Sequence, residues 1–197
     1  MTLFPFFEDI DGKRFVVIGG GRVAKGKVRR LLPFTHNITV ISENTDIDFV
    51  PVIRRNFTES DILSGDYIIA ATDSEETNGR IFELCKKHAK PVNTVDDPEK
   101  CTFIFPSLIK RGELVIGIST TGKSPALSKH LRQQFEAGLD GDIEKVLDKM
   151  GLLRLRLKKL IPDQKTRSEI LKRALDCYLK NADDDLTVEK MIAEYTE

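Results

Sequence analysis

A glycine-rich segment that directly follows an apolar run is the feature that most limits how this chain can fold. Phe15 to Ile18 are apolar, Gly19-Gly20-Gly21-Arg22-Val23-Ala24 follows them, and a helical pattern then continues to Leu32. The glycine segment fits G-x-G-x-x-G/A between a predicted strand and a predicted helix. This context predicts a βαβ unit whose helix N-terminus binds the pyrophosphate of a dinucleotide.

Each residue of this glycine loop has a physical reason to be there. Gly19 permits a tight turn, Gly21 lets the backbone approach a pyrophosphate, and Ala24 keeps the helix close to the strand. Arg22 and Val23 begin the helix, whose N–H groups and dipole bind the anion. We expect all five residues to bind a dinucleotide. The alternative is a turn that packs the helix on the sheet without a ligand.

An acidic residue at the end of the next apolar run indicates which cofactor is bound. Glu43 follows Ile38 to Ile41 and lies 22 residues beyond Gly21, near the spacing of about 20 residues at which an acid binds the ribose hydroxyls. An acid at this position favours NAD over NADP. Two alternatives stay open, because Ser42 can make the ribose contact and Arg22 can attract a 2′-phosphate.

Short β-branched runs alternate with helical patterns through the first half of the chain. Apolar runs without period-two alternation are typical of parallel strands that are covered on both faces. We predict strands at 15–18, 38–41, 52–54, 67–71 and 92–95, with helices at 23–32 and 75–89. Beyond Pro98 we predict strands at 102–105 and 114–119 and a helix that starts at Ser124-Pro125, followed by helices at 143–160, 165–180 and 186–195.

These elements predict an α/β fold class. The expected architecture is a Rossmann-like parallel sheet, a small α+β segment and a helical C-terminal region. The expected domain boundaries are 1–112 for the nucleotide-binding domain, 113–140 for the connecting or pairing segment and 141–197 for the helical domain.

Composition disfavours several classes of protein. The 31 Lys and Arg residues balance 31 Asp and Glu, which disfavours a basic protein that coats nucleic acid. Because 40% of residues are hydrophobic, the chain can form a core, which disfavours disorder. Three distant cysteines, no signal-peptide pattern and no apolar run of about 18 residues predict a cytoplasmic protein that does not enter membranes. His36, His88 and His130 are scattered, so no metal site is expected.

A second phosphate motif competes with the glycine loop. Gly117 to Ser124 satisfies the P-loop pattern G-x-x-x-x-G-K-[ST]. However, Gly117 falls inside the β-branched run 115–120, and Pro125 places the helix start later than a phosphate-binding loop requires. Asp73 is a doubtful candidate for the acid that such a site needs. A nucleoside triphosphatase is therefore the less favoured interpretation.

Five segments together resemble the precorrin-2 dehydrogenase family, the standalone relatives of the amino-terminal part of siroheme synthase. The resemblance covers about residues 3–135. The glycine loop is its least specific part, whereas the combination of Val-Asn-x-Val-Asp with Ser-x-x-Gly-Lys-Ser-Pro is more specific. The segments that carry it are 17–24, 70–73, 92–97, 103–107 and 117–125.

The resemblance implies an NAD-dependent enzyme that oxidises precorrin-2 to sirohydrochlorin as an intertwined homodimer, with the dimerisation segment after the nucleotide domain. Asp96 matches the family's catalytic aspartate, which accepts a proton or holds a pyrrole N–H. Thr72, Asp73 and Asn93 lie with it at the carboxyl ends of predicted strands, where open parallel sheets bind ligands. We expect these three to bind the cofactor, and Asn93 also the substrate. Asp97 precedes a proline and is more typical of a turn.

The family's substrate is a tetrapyrrole that carries many carboxylates, and this gives a purpose to a local excess of positive charge. Residues 101–135 carry five basic residues against one acid. Lys123 and Ser124 stand at a helix start, so we expect them to bind substrate carboxylates. Lys110 and Arg111 are more typical of a solvated turn, and His130 of a surface or interface. Two other functions stay open, namely a bifunctional dehydrogenase and ferrochelatase, and a non-catalytic NAD-sensing module.

Overall fold

The chain folds into two compact units. The computed structural model describes residues 2–139 and 141–195. One unit contains the chain up to Pro106 together with Ser119–Pro125, and the other contains Ser107–Ile118 together with the chain from Ala126 onward. The predicted domains 1–112, 113–140 and 141–197 stay a prediction. They are defined by function, whereas these two units are defined by how the chain packs.

The first unit is built on a five-stranded parallel sheet. The strands lie in the spatial order β3-β2-β1-β4-β5, and each pairs in parallel with its neighbours. This order places β1 at the centre, so the chain reverses direction across the sheet between β1 and β4. The predicted Rossmann-like sheet is confirmed. The strands are β1 (Phe15–Ile18), β2 (Ile38–Ile41), β3 (Val52–Ile53), β4 (Tyr67–Ala70) and β5 (Val92–Thr94).

Three helices connect these strands: α1 (Arg22–Leu31), α2 (Glu59–Ser64) and α3 (Glu75–Lys87). Because successive side chains of a strand point to opposite faces, the continuous apolar runs supply a core on each side of the sheet. Val17 and Ile69 pack on one side with Ala24 and Val28 of α1. On the other side, the core contains Val16, Ile18, Ile68, Ile62 and Ile81, the last two from α2 and α3.

The short helix α2 was not predicted from the sequence. It begins with a capping box, in which Thr58 is the N-cap and the Asp61 carboxylate accepts a hydrogen bond from the Thr58 N–H at 2.7 Å. Arg55 donates two further hydrogen bonds to the same carboxylate, at 2.7 and 2.8 Å. The helix is therefore specified by polar groups at its start more than by a long amphipathic pattern.

The second unit contains a two-stranded antiparallel hairpin and four helices. The hairpin strands are β6 (Ser107–Arg111) and β7 (Leu114–Ile118). The helices are α4 (Pro125–Gly138), α5 (Ile143–Leu160), α6 (Gln164–Tyr178) and α7 (Asp185–Ala193). The helices α5, α6 and α7 share a core around Leu157, Ile170 and Val188. Among the described residues, no helix is long and apolar enough to cross a membrane.

The predicted strand 102–105 is wrong. Its aromatic residues lie against the first unit's core, where Phe103 contacts Tyr67 edge to face with ring centroids 5.5 Å apart and Phe105 follows at 5.8 Å from Phe103. Thr102 bonds back to Val92, whose carbonyl accepts from the Thr102 N–H at 2.8 Å and whose N–H donates to the Thr102 hydroxyl at 2.8 Å. The aromatic content that suggests a strand serves packing here, and the hairpin strand starts five residues later, at Ser107.

We expect Asp61→Asn to show how much the capping box contributes to stability. Hydrogen bonds from Arg55, first, and from Thr58 lower the pKa of Asp61 to about 2. Its contribution is therefore present above the ordinary carboxyl pKa and is lost as the pH falls towards 2. The substitution should lower the free energy of unfolding by about 1–2 kcal/mol at neutral pH and weaken its fall in acid. Urea unfolding followed by circular dichroism measures both.

The matched control is Asp48→Asn, because the Asp48 side chain is exposed. We expect this control to leave the unfolding free energy unchanged within about 0.5 kcal/mol. Equal acid sensitivity in wild type and Asp61→Asn would contradict the role given to the Asp61 carboxylate.

Candidate dinucleotide-binding site

The carboxyl ends of the parallel strands open onto two neighbouring cavities in the first unit. The larger has a volume of about 630 Å³ and the smaller about 270 Å³. Gly21, Ala71, Thr72 and Asp73 line both of them. The shared residues follow β1 and β4, the strands on either side of the point where the chain reverses direction. This is where ligands bind in open α/β sheets.

The glycine loop fits this position for steric reasons. Gly19 has φ +117°, and a Cβ there would lie 2.1 Å from the Ala71 carbonyl oxygen. A Cβ on Gly20 would lie 2.5 Å from the Thr45 Cβ. At Gly21, by contrast, a Cβ would meet only an Asp73 carboxylate oxygen at 3.7 Å. The first two glycines therefore let strands and loops meet, and the third leaves its backbone open to the cavities.

The start of α1 is arranged to bind an anion. Gly21 is its N-cap residue, and the first intrahelical bond runs from the Lys25 N–H to the Gly21 carbonyl at 3.0 Å. The N–H groups before Lys25 have no intrahelical partner. The first turn contains no acidic residue, and Arg22 and Val23 line the larger cavity. Ala24 is fully buried against the sheet. These residues fit the pyrophosphate of a dinucleotide.

The smaller cavity contains the predicted ribose acid. Glu43 and Ser42 both line it. Glu43 accepts one hydrogen bond, from the Asn56 side-chain amide at 2.9 Å, and its side chain is exposed. The Ser42 hydroxyl donates to the Asn44 carbonyl at 2.9 Å. The hydroxyl proton of Ser42 is donated within the loop. Glu43, with two carboxylate oxygens, therefore has the greater capacity to accept hydrogen bonds from ribose hydroxyls.

The loop after β4 is held by an asparagine that sequence reasoning missed. The buried Asn78 side chain accepts from the Thr72 N–H at 3.1 Å and from the Thr72 hydroxyl at 2.8 Å, and it donates to the Thr72 carbonyl at 3.1 Å. Asp73 is left exposed and lines both cavities. Asn78 stands inside a helix, so no turn signal or motif marked it.

The turn after β5 presents Asp96 to the larger cavity. Asp96 is exposed, lines that cavity and has φ +57°, a left-handed conformation that is uncommon for residues other than glycine. Asp97 has a structural role, because its carboxylate accepts from the Glu99 and Lys100 N–H groups and lies 2.7 Å from the Lys100 ammonium. The hydrogen bond with Lys100, chiefly, lowers the pKa of Asp97.

Thr94, the last residue of β5, has an unusual buried hydroxyl next to the larger cavity. The residue is 4% exposed and lines the larger cavity, yet its hydroxyl oxygen is buried without a hydrogen-bond partner among the described residues. An unpartnered buried hydroxyl is costly and rare. A ligand with a hydrogen-bonding substituent, such as the carboxamide of a nicotinamide ring, fits this position.

Asn93, predicted to bind cofactor and substrate, lines neither cavity. Its side-chain oxygen accepts from the Lys27 ammonium at 2.9 Å, and its amide donates to the Phe103 carbonyl at 3.0 Å. The residue is 4% exposed. The structure therefore brings Asn93 into a network behind the Asp96 turn, and sequence reasoning gave no sign of its lysine partner.

Lys123 and Ser124, predicted to bind substrate, lie in the segment just before α4 and line neither cavity. The Lys123 N–H bonds to the Thr120 carbonyl at 3.0 Å, and the Ser124 N–H bonds to the Thr120 hydroxyl at 3.2 Å. Gly117, the first residue of the competing P-loop pattern, lies in β7 and pairs with Leu108. The first two residues of that pattern therefore belong to a strand, and only 119–124 form the connection between β7 and α4.

The larger cavity therefore combines an anion-binding helix start with an exposed carboxylate. Among residues 2–139 and 141–195, no group of three His, Cys, Asp or Glu side chains is placed to hold a metal ion.

The family model described as "Putative NAD(P)-binding" matches residues 6–107, and that described as "Sirohaem biosynthesis protein central" matches residues 111–137. The chain belongs to the siroheme synthase amino-terminal family. Its first unit is an NAD(P)-binding domain.

Curated relatives agree with this assignment. The siroheme synthase of Thioalkalivibrio sulfidiphilus is 34% identical over 89% of this chain and 38% of that protein. The siroheme synthase of Pseudoalteromonas translucida is 35% identical over 81% of this chain and 35% of that protein. The chain thus spans less than two fifths of the length of these relatives. A solved structure titled "SirC, precorrin-2 dehydrogenase" shares the fold, with a TM-score of 0.76 over 98% of both chains and 21% identity.

We expect Gly21→Asp to abolish dinucleotide binding in a protein that stays folded. The new side chain has room, since only Asp73 lies near the added Cβ, but its carboxylate would face the position of the pyrophosphate. The Kd for NAD should rise at least about a hundredfold, or about 2.7 kcal/mol. Isothermal titration calorimetry suits this measurement, because the chain contains no tryptophan.

Gly26→Asp is the matched control. Gly26 lies in the same helix, is exposed, and an added Cβ meets nothing within 4 Å. It lines neither cavity, so NAD affinity should stay within about twofold of wild type. If Gly21→Asp bound NAD as tightly as this control, the glycine loop would not be the pyrophosphate site.

Proposed function

We propose that the protein oxidises precorrin-2 to sirohydrochlorin with NAD. The observation that carries this proposal is that one cavity is lined both by the start of α1 and by Asp96. A dinucleotide held at the glycine loop would then have its reactive end near a carboxylate. Membership of the siroheme synthase family and the fold shared with a precorrin-2 dehydrogenase support the choice of substrate.

We propose NAD rather than NADP as the cofactor. The exposed Glu43 carboxylate lines the smaller cavity, where it can accept bonds from both ribose hydroxyls and would repel a 2′-phosphate. An NADP site needs a cation for the 2′-phosphate. Arg55 lines the same cavity, but its guanidinium already donates two hydrogen bonds to Asp61. Arg22 lines the other cavity, next to the helix start, and is better placed for the pyrophosphate.

The residues that line the larger cavity have different roles in the proposed reaction. Bound NAD supplies the hydride acceptor. The exposed Asp96 carboxylate accepts the proton that the macrocycle releases, or holds a pyrrole N–H while the hydride leaves. The Thr94 hydroxyl, which has no partner among the described residues, would donate one hydrogen bond to the nicotinamide end of bound NAD. Arg22 lines the same cavity and offers positive charge to the pyrophosphate of the cofactor.

We retain Lys123 and Ser124 as proposed substrate contacts, on the family resemblance.

We also propose that the protein is a cytoplasmic homodimer. An isolated two-stranded hairpin is marginally stable, and of the apolar residues in β6 and β7 only Ile109 is buried. In α4, Leu127 and Phe135 are about half exposed. A second copy of the chain that covers these surfaces would account for both observations.

Asp96→Asn is expected to separate catalysis from binding. The amide keeps the size of the side chain and its acceptance of hydrogen bonds but cannot take up a proton, so kcat should fall at least about a hundredfold while the Kd for NAD stays within about twofold. Mixing the protein with precorrin-2 and NAD and following NADH and tetrapyrrole absorbance measures this.

Asp97→Asn is the control for Asp96→Asn, because Asp97 stands next in the chain and bonds only to the turn itself. It should retain more than about a third of the wild-type kcat. Full activity of Asp96→Asn would remove Asp96 from the chemistry. Tight NAD binding by a wild-type protein that never turns over would instead support the NAD-sensing module.

Glu43→Ala is expected to reverse cofactor preference. Without the carboxylate, the Kd for NAD should rise about tenfold and the Kd for NADP should fall, since one like-charge repulsion is removed. Calorimetric titration of both cofactors gives the ratio. Glu83→Ala, an exposed change on α3 away from both cavities, should leave the ratio unchanged. An unchanged ratio in Glu43→Ala would move the ribose contact to Ser42.

A further inference from the structure

A partly buried lysine lies behind the turn that carries Asp96. Lys27 points from α1 towards β5, where its ammonium donates to the Asn93 side-chain oxygen at 2.9 Å and lies 4.3 Å from the centre of the Phe105 ring. It lines neither cavity and forms no salt bridge among the described residues. An ammonium that is partly withdrawn from water, with no carboxylate partner in the described part of the chain, costs stability. Such a cost suggests a role other than holding the fold together.

The lysine is connected to the Asp96 turn through a thiol. The Asn93 side-chain amide donates to the Cys101 sulfur at 3.5 Å. That sulfur accepts from the Thr94 N–H at 3.2 Å and donates to the Thr94 carbonyl at 3.2 Å or to the Asp97 carbonyl at 3.3 Å. When the thiol donates to Asp97, this one atom bonds to the backbone on both sides of Asp96 and so holds a left-handed residue that has a Cβ.

We propose that Lys27 is a positioning residue for Asp96, acting through Asn93 and the Cys101 thiol to fix the turn that carries the carboxylate. The inference rests on the proposed function, because it gives Asp96 a reaction to serve. It assigns roles to three residues whose side chains touch neither cavity. Lys27 does not contact substrate or cofactor and is not a catalytic residue.

The charge on Lys27 is part of this arrangement. The titratable and charged groups that face it are Arg30 on α1, Asp96 in the turn after β5, and Cys101. Burial first, and then Arg30, lower the pKa of Lys27 to about 8, against the opposing attraction of Cys101 and Asp96. The ammonium form donates the stronger hydrogen bond to Asn93 and attracts the Asp96 carboxylate. Loss of its proton weakens both interactions.

The test compares Lys27→Met with Lys25→Met. Lys25 lies two residues earlier in α1 and pairs instead with the exposed Asp46, at 2.6 Å. Lys27→Met should lower kcat at least about tenfold with the Kd for NAD within about twofold, as expected when a catalytic group is displaced. Lys25→Met should leave both unchanged. A loss of NAD affinity equal to the loss of kcat would overturn the proposal.

The pH profile provides a readout that a packing role would not change. The wild-type kcat should fall as the pH rises through about 8, where Lys27 loses its proton. Lys27→Met should lack this alkaline limb and stay at its lower rate across the same range. Cys101→Ser should keep the limb, which separates it from titration of the thiol. A limb that persists in Lys27→Met would overturn the assignment.

The thiol is tested by two substitutions that differ by one hydroxyl. Cys101→Ser retains a group that can donate and accept, so kcat should stay within about threefold of wild type. Cys101→Ala removes the bonds to Asn93 and to the backbone of the turn, and should lower kcat at least about tenfold. Equal rates in the two variants would show that the sulfur only fills space.

One measurement does not depend on turnover. The Thr94 N–H bonds to the Cys101 sulfur, whereas the neighbouring Val95 N–H bonds to the Ala70 carbonyl at 2.9 Å. In Cys101→Ala and Lys27→Met, the hydrogen exchange of the Thr94 amide should accelerate at least about tenfold relative to Val95. If the wild type fails to oxidise precorrin-2, the proposed function fails, and this exchange still decides whether the network holds the turn. Unchanged exchange would overturn the network.

Discussion

The close approach of two strand ends is the constraint on which the site depends. The residue after β1 meets the Ala71 backbone so closely that a Cβ on Gly19 would lie 2.1 Å from a carbonyl oxygen. Because of this contact, the turn into α1 and the turn after β4 lie side by side, and Gly21 and Asp73 line the same two cavities. The start of α1, Glu43 and the Asp96 turn are all positioned relative to this contact between Gly19 and Ala71. The parallel sheet brings them to one edge, since all its strands end there.

The site has two layers that differ in physical character. The residues that face the cavities, such as Glu43, Asp73 and Asp96, are exposed. The residues that hold them, such as Asn78 and Asn93, are buried and have side chains bonded to backbone groups. Buried hydrogen bonds of this kind fix loops in one geometry, whereas exposed carboxylates remain available to ligands. This division lets irregular turns hold functional groups steadily.

The sequence was sufficient for the features that a regular pattern encodes. The glycine loop, the continuous apolar strands and the acid after β2 follow from local spacing, and each lies where the pattern predicted. The strand predicted at 102–105 was wrong, because Phe103 and Phe105 pack on the core instead of pairing with a neighbour. The helix α2 was missed, because the hydrogen bonds between Arg55 and Asp61 that specify its start leave no trace in the spacing of apolar residues. The contact between Lys27 and Asn93 joins residues 66 positions apart, beyond the reach of any local motif.

The contrast between Gly19 and Glu43 has a consequence for how a protein of this kind can diverge. Any side chain at Gly19 would force two strands apart, so this contact admits almost no variation. Glu43 is exposed and, within the described residues, bonds to the Asn56 amide alone, so its replacement costs the fold very little. With the role proposed for Glu43, related sequences can therefore switch between NAD and NADP by substitution at one exposed position, while the glycine turn between the strands stays the same.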